Sequence, residues 1–366
     1  MNEAMIEARG LSKSFEIGGG FLKAPRHLHA VDAVDLTVAR GETFAIVGES
    51  GCGKSTLARL LMRLHEPSDG SVRVAGHEIA RISGQELRAL RRDVQFIFQD
   101  PFSSLNPRLT VARLVGEPLE AHRPELDSAA RRAEVARLLA QVGLRPEHMD
   151  RYPHEFSGGQ RQRIGIARAL ASGPKLLIGD EPVSALDVSV QAQVVNLLAD
   201  LRDELGLTLV VIAHDLAVIR QMSDRVAVMY LGRIVESGPT DAIFTRPRHP
   251  YTRALLAAIP GPEGGGQGAS LTGETPSPMD PPSGCHFRTR CPHAAEICAG
   301  SRPPTETSDS GTSIACFRWR EIAEGGDDMP PPPARSAGAE RRFHLYRQAL
   351  AAKDKTDKNQ QEGQQP

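Results

Sequence analysis

The stretch Gly48-Glu49-Ser50-Gly51-Cys52-Gly53-Lys54-Ser55-Thr56 follows the apolar run Phe44-Ala45-Ile46-Val47 and matches G-x-x-x-x-G-K-[ST] at each fixed position. The pattern demands a buried strand, a tight glycine-rich turn and then a helix, predicted here over Ser55 to Leu64. Glycines let backbone N–H groups approach a polyphosphate with no Cβ in the way. Lys54 can then reach the β and γ phosphates, and the Ser55 hydroxyl is placed to ligate Mg²⁺. The chain is therefore expected to bind a nucleoside triphosphate. The bland alternative is a glycine-rich turn with an incidental lysine, and the order strand, loop, helix counts against it.

Charged residues make up 24% of the 366-residue chain and the formal net charge is −1. No apolar run approaches the roughly 20 residues that span a bilayer, so any membrane role is expected to come through a partner. The N-terminal MNEAMIEARG carries acidic residues and does not read as a secretory signal, which places the expected site of action in the cytoplasm. A near-neutral balance gives no whole-chain electrostatic reason to expect nucleic acid as the main partner.

Short β-rich apolar runs alternate with helical segments, which predicts an α/β domain with a largely parallel sheet over residues 1–258. Predicted strands are Thr43 to Val47, Leu176 to Gly179 and Leu209 to Ala213, with Val226 to Tyr230 pairing with Arg233 to Glu236 across Gly232. Ser128 to Val142 has helical spacing, and a helical subdomain over about residues 100–170 is expected as an insertion into the sheet. Residues 259–283 read as a Gly/Pro-rich linker, 284–320 as a cysteine-bearing segment and 321–366 as a disordered tail, with a transient helix around Phe343 to Leu350.

Lys175-Leu176-Leu177-Ile178-Gly179-Asp180-Glu181 is an apolar strand ending in two carboxylates. Alternation points them apart: Asp180 toward a metal, through water, and Glu181 toward a water in line with the γ phosphate. Alone, such a pair is as well read as a solvated strand end. Upstream lies Phe156-Ser157-Gly158-Gly159-Gln160-Arg161-Gln162-Arg163, followed by a helical run through Ala171. Ser157 and the two glycines start that helix, so hydroxyl, N–H groups and the positive helix terminus can face an anion.

Ser-Gly-Gly-Gln between a phosphate loop and an Asp-Glu strand resembles the signature of the ATP-binding cassette (ABC) ATPases. Other family motifs follow in order: Gln99 resembles the Q-loop glutamine, Ser184-Ala185-Leu186-Asp187 the D-loop, and His214 the switch histidine. The resemblance covers nearly all of residues 5–320 with no catalytic departure. It implies an ABC-type P-loop NTPase with a RecA-like core, a mostly parallel sheet, an antiparallel β part and an inserted helical subdomain. It also implies ATP hydrolysis in a head-to-tail pair of cassettes, with Ser157, Gly158, Gly159, Gln160 and Asp187 facing the partner's nucleotide. Glu181, His214 and Gln99 are then the catalytic set, and Ser55, Gln99 and Asp180 the Mg²⁺ set. Phe15 matches the aromatic that stacks on adenine, and is equally readable as core. Cys52 reads as a small tolerated side chain whose alkylation should block nucleotide binding.

Within the family, Gln99 to Pro107, Glu181 to Gln193 and His249 to Leu256 look like the oligopeptide/dipeptide importer ATPases, specifically the second, "F-type", ATPase subunit. The likeness implies a related second ATPase, two membrane permeases and a peptide-binding protein, with this chain peripheral at the cytoplasmic face of the inner membrane. Phe102 to Leu109 is the expected permease-facing surface, or otherwise an ordinary proline-bounded loop.

Of five cysteines, four cluster late, at Cys285, Cys291, Cys298 and Cys316, spaced C-x₅-C-x₆-C-x₁₇-C. Disulfides are disfavoured in a reducing cytoplasm, and the spacing by itself does not separate zinc from iron–sulfur. Gly284-Cys285-His286-Phe287-Arg288-Thr289-Arg290-Cys291-Pro292 resembles the peptide importers' C-terminal segment, where four such cysteines hold a [4Fe–4S] cluster; zinc is the alternative, and His286 and His293 read as bystanders. Two rival functions remain in view. One is a soluble ABC ATPase of translation or nucleic-acid maintenance, although the chain shows one cassette and no long coiled-coil insertion. The other is a regulatory module whose cysteines sense redox state.

Overall fold

The computed structural model describes residues 4–18, 26–100, 102–184, 186–259 and 273–324, together with positions 338, 340, 341 and 344. Most of the expected linker and of the expected helix around Phe343 to Leu350, together with Pro101 and Ala185 of the D-loop, falls outside the described residues.

The chain begins with two long strands, β1 (Ala4–Ile17) and β2 (Arg26–Ala39), then β3 (Thr43–Val47), α1 (Lys54–Leu61), β4 (Asp69–Val74), β5 (His77–Glu78), α2 (Gly84–Asp93) and β6 (Val94–Ile97). Three helices follow before the chain returns to a sheet: α3 (Val111–His122), α4 (Ser128–Gln141) and α5 (Gly158–Leu170). Strands and helices then alternate through β7 (Leu176–Asp180), α6 (Val188–Leu205), β8 (Thr208–Ile212), α7 (Leu216–Met222), β9 (Arg225–Tyr230), β10 (Arg233–Pro239), α8 (Thr240–Thr245) and α9 (Pro250–Ala257). The last elements are α10 (Ile297–Gly300), β11 (Glu306–Thr307), β12 (Ser313–Ile314) and α11 (Trp319–Glu324).

Two sheets result. A four-stranded antiparallel sheet has the order β2-β1-β4-β5, and an eight-stranded sheet has the order β11-β12-β10-β9-β3-β8-β7-β6. In the larger sheet β9, β3, β8, β7 and β6 run parallel, and β10 turns back antiparallel to β9. Every residue of β3 and β8 is buried, as expected of parallel strands covered on both faces. Alternation divides their side chains between two cores: Ala45, Val47, Leu209 and Val211 join one, and Phe44, Ile46, Val210 and Ile212 the other. Burying each of the larger side chains is worth about 1.5–3 kcal/mol. A buried polar lock closes one end of this sheet. Asp224 Oδ2 accepts from the Thr43 N–H at 2.8 Å and from Arg202 Nη1 at 3.0 Å, joining α6 to the starts of β3 and β9.

The helical insertion forms where Leu, Val and Ile recur at helical spacing. Asp127 caps α4 by accepting the Ala130 N–H at 2.8 Å, which helps explain why α4 starts at Ser128. The predicted strand Thr43 to Val47 coincides with β3, and the others differ only at their ends.

The cysteine segment departs from the expected separate unit. β12 pairs with β10 in the register Glu236↔Ile314 and Ser237↔Ser313, so this segment extends the main sheet. Arg233 Nη1 donates to Gly284 O at 2.9 Å, and Phe287 is 1% exposed within the main core. The exposed edge of β10 and the apolar surface beside Tyr230 are covered by residues beyond 283. Residues 321–324, assigned above to the tail, belong to α11.

Candidate active site

The phosphate loop links β3 to α1, and two of its glycines are required by contact as well as by conformation. A Cβ at Gly48 (φ +151°) would sit 2.1 Å from Met229 O, and one at Gly53 (φ +107°) 2.0 Å from Ala30 O. The loop is thus wedged against β9 and β2, and only glycine fits. Lys54 is 5% exposed, and its Nζ donates to the carbonyls of Gly48 (2.7 Å) and Glu49 (2.9 Å). Cys52 is buried, and burial pushes its thiol up from the ordinary range. A buried thiol with a raised pKa is a poor nucleophile, in keeping with the reading of Cys52 as a small tolerated side chain.

At the start of α1, Ser55 Oγ donates to Asp180 Oδ1 at 2.9 Å. Burial raises the Asp180 carboxyl, the Ser55 hydrogen bond opposes that, and the charge of Glu181 adds to it. Two oxygen donors side by side at a loop built for phosphate suit a hard divalent cation, whose remaining ligands come from phosphate and water.

Glu181 follows β7 in a left-handed conformation, φ +46°, with its N–H held by Ile212 O at 2.9 Å. Such a backbone costs a non-glycine residue on the order of 1–3 kcal/mol and recurs at functional sites. The turn carries its carboxylate to the two other residues of the expected catalytic set. Gln99 Nε2 donates to Glu181 Oε2 at 2.9 Å, and His214 Nδ1 lies 3.3 Å from the same oxygen. Gln99, Glu181 and His214, from the ends of three neighbouring strands, therefore meet at one atom. Sequence order placed them in one site without revealing this convergence.

The signature segment lies at the start of α5. Ser157 Oγ accepts the Gln160 N–H at 3.4 Å while Gln160 Oε1 accepts the Ser157 N–H at 3.1 Å, a reciprocal cap. Gly159 packs against α6, where an added Cβ would sit 2.3 Å from Val190 Cγ1. Gly158 faces Leu186, where an added Cβ would make an ordinary contact at 3.5 Å, and Asp187 is the N-cap position of α6. Phe15 lies near the end of β1, its ring 5.5 Å from His65 and 5.1 Å from Lys13 Nζ. It is half-buried, and so is free of the core packing that was its other reading.

Gln99 also begins a segment bonded to α5. Arg168 Nη1 donates to Ser104 O at 2.7 Å, and the Arg161 guanidinium covers the Phe102 ring at 4.1 Å. Phe98 and Phe102 are exposed, at 45% and 58%. Leu105, inside the expected Phe102 to Leu109 surface, is instead a buried anchor at 1%. The two arginines were not singled out earlier as bridging residues, because nothing local marks a helix arginine as the support of a loop about 60 residues away.

The four late cysteines line one small cavity with Phe287 and Arg318. Burial pushes Cys291 up to about 11 and Cys316 up to about 12, and the neighbouring thiols add to both. Among the described residues, no group of three or more His, Cys, Asp or Glu has the arrangement that holds a single metal ion.

Two family models match the chain, "ABC transporter" over residues 31–184 and "Oligopeptide/dipeptide transporter, C-terminal region" over residues 235–298. It is 53% identical over 320 residues to the probable peptide ABC transporter ATP-binding protein y4tS of Sinorhizobium fredii, covering 86% of this chain and 90% of that one. The chain belongs to the peptide ABC transporter ATP-binding proteins. It is also 51% identical over 323 residues to the oligopeptide transport ATP-binding protein OppF of Escherichia coli, covering 86% of this chain and 96% of that one. The dipeptide transport protein DppF of Haemophilus influenzae is 49% identical over 319 residues, 86% of this chain and 97% of that one. "F-type" is therefore corrected: it conveys only the last letter of these relatives' names. The dimeric ATP-binding cassette MJ0796 bound to ADP and Pi is 30% identical, with TM-score 0.58, covering 64% of this chain and 99% of that one. As a member of this family the protein is an ATPase, and Mg²⁺ is expected with its nucleotide. No helix among the described residues is long and apolar enough to cross a membrane.

Proposed function

We propose that this chain hydrolyses ATP to drive import of di- or oligopeptides through membrane permeases, as a peripheral subunit at the cytoplasmic face of the inner membrane. The observation that carries the reading is the position of Gln99. Its side chain bonds the Glu181 carboxylate at 2.9 Å, and the segment it begins presents Phe102 at the surface. One residue thus joins the carboxylate proposed to activate water to the surface proposed to meet a permease.

Glu181 Oε2, oriented by Gln99 and His214, accepts the proton of a water attacking the γ phosphate. Lys54 balances phosphate charge, and Ser55, Asp180 and Gln99 are the residues that would hold Mg²⁺, which when bound neutralises the β and γ oxygens. Ser157 to Gln160 and Asp187 would face the nucleotide of a second, related cassette packed head to tail, and closure and reopening of the pair would move two permeases fed by a substrate-binding protein. The relatives named for oligopeptide and dipeptide transport support the substrate class. They give no support to the rival role in translation or nucleic-acid maintenance.

Cys285, Cys291, Cys298 and Cys316 would hold a [4Fe–4S] cluster. All four cysteines line one small cavity, which supports a single group shared among them. Anaerobically purified protein is expected to be brown, with stoichiometric iron and sulfide; colourless protein with one zinc would refute this.

Gentle solubilisation, capture through an affinity tag and mass spectrometry test the whole reading. Two multi-span permeases and a second cassette subunit are expected. Ribosomes or DNA without membrane proteins would overturn it.

A further inference from the structure

Glu49 is the single acidic residue of the phosphate loop. Its N–H donates to Tyr251 Oη at 2.9 Å, and its carbonyl accepts from Lys54 Nζ at 2.9 Å. Its carboxylate is gripped from two sides by Arg290, Nη1 to Oε2 at 2.7 Å and Nη2 to Oε1 at 3.0 Å. Thr275 Oγ1 adds a third bond, to Oε2 at 3.1 Å. Tyr251, Thr275 and Arg290 all lie beyond residue 250, in the part of the chain that was expected to be the end of the nucleotide-binding domain, a linker and a separate cysteine segment.

The grip is built into the core. The Arg290 side chain is 5% exposed, and its Nη1 also reaches Tyr230 Oη at 3.4 Å. The rings of Tyr230 and Tyr251 pack tilted at 58° with centroids 4.7 Å apart, and the Phe287 ring packs on both with centroids at 5.2 and 5.3 Å. Phe287 also lines the cysteine cavity, and Arg290 directly precedes Cys291. A continuous packed path therefore runs from the phosphate loop to the cysteines.

A carboxylate in a loop that receives a polyanion opposes binding unless its charge is matched. A bidentate guanidinium shielded from water supplies that match and also fixes orientation. We propose that Arg290 is a positioning residue for nucleotide binding, which neutralises and anchors Glu49 so that the phosphate loop receives ATP, and which joins that loop mechanically to the cysteine segment.

The test uses the full chain and the variants Arg290→Met, Glu49→Gln and their combination, with MgADP affinity measured by titration calorimetry and kcat and KM by phosphate release. Arg290→Met should weaken MgADP binding and raise KM by about tenfold or more, as expected when one partner of a buried pair is removed, with kcat within about twofold. Glu49→Gln, which leaves the Arg290 guanidinium without its carboxylate but puts no unmatched negative charge in the loop, should weaken MgADP binding less than Arg290→Met. The double variant should recover to the Glu49→Gln value, since the unmatched charge is gone. Unchanged affinity in Arg290→Met, a double variant as weak as Arg290→Met, or a fall in kcat with KM unmoved would each overturn the proposal. If Arg290→Met does not fold, Arg290→Gln carries the test: it keeps a hydrogen-bond donor and removes the charge, so a weakened affinity supports the proposal and a parental one overturns it. The inference rests on the ATP-binding reading, whose own failure is separate, because the parental chain would then bind no MgADP.

Discussion

Replacing Glu181 by Gln isolates proton acceptance from positioning. The parental carboxylate receives Gln99 Nε2 at 2.9 Å and lies 3.3 Å from His214 Nδ1, both at Oε2. A glutamine amide has the same shape and presents an acceptor oxygen to those neighbours, while the left-handed turn at residue 181 makes no demand on side-chain charge. What disappears is the base. A positioned general base contributes about 10²–10⁴-fold, so kcat should fall by that factor, about 3–5 kcal/mol of barrier. MgATP affinity should stay near parental, because the carboxylate is not part of the phosphate loop. Phosphate release at saturating MgATP, measured beside nucleotide affinity, reads both. His214→Ala in the same assay should lower kcat, and the double variant should fall well short of the product of the two effects, because both residues act through one oxygen. Turnover of Glu181→Gln above about a tenth of parental would refute the base assignment. Parallel loss of affinity would show that the carboxylate holds the nucleotide site together.

Three further outcomes are expected. Asp224→Ala removes the acceptor shared by the Thr43 N–H and Arg202, leaving the N–H unsatisfied and the guanidinium held by the more exposed Asp203 and by Thr43 Oγ1, and should cost about 1–3 kcal/mol in denaturant unfolding. Glu236 is fully buried; burial pushes its carboxyl up to about 7, while hydrogen bonds from the His249 and Arg248 N–H groups hold it back. A raised carboxyl binds its proton more tightly folded than unfolded, so its contribution is complete below about pH 4.5 and is lost as pH rises to about 7. Scanning calorimetry should show a decline across that window which disappears in Glu236→Gln, although that variant starts from a lower Tm because its amide meets one N–H donor with another. Phe102→Asp, at an exposed ring covered by Arg161, should reduce recovery of membrane partners in the affinity capture; undiminished recovery would remove this surface from the docking site.

The phosphate loop, β3, the strand ending in Asp180 and Glu181, and helix α4 were legible in the amino-acid sequence because their signals are local. Glycine spacing, runs of buried β-branched residues and apolar recurrence act over a few residues, and neighbours along the chain satisfy them. The order of Gln99, Ser157, Glu181 and His214 was also legible, and with it the chemistry proposed for them. Tertiary structure alone decided that Gln99 and His214 share one oxygen of Glu181, that Leu105 anchors a surface loop, and that the cysteine segment completes the main sheet through β12. It alone decided the bond between Arg290 and Glu49, 241 residues apart. No periodicity encodes such a pairing: a charged residue reads as solvated until the fold buries it, and burial then requires a partner brought from wherever the sheet places one.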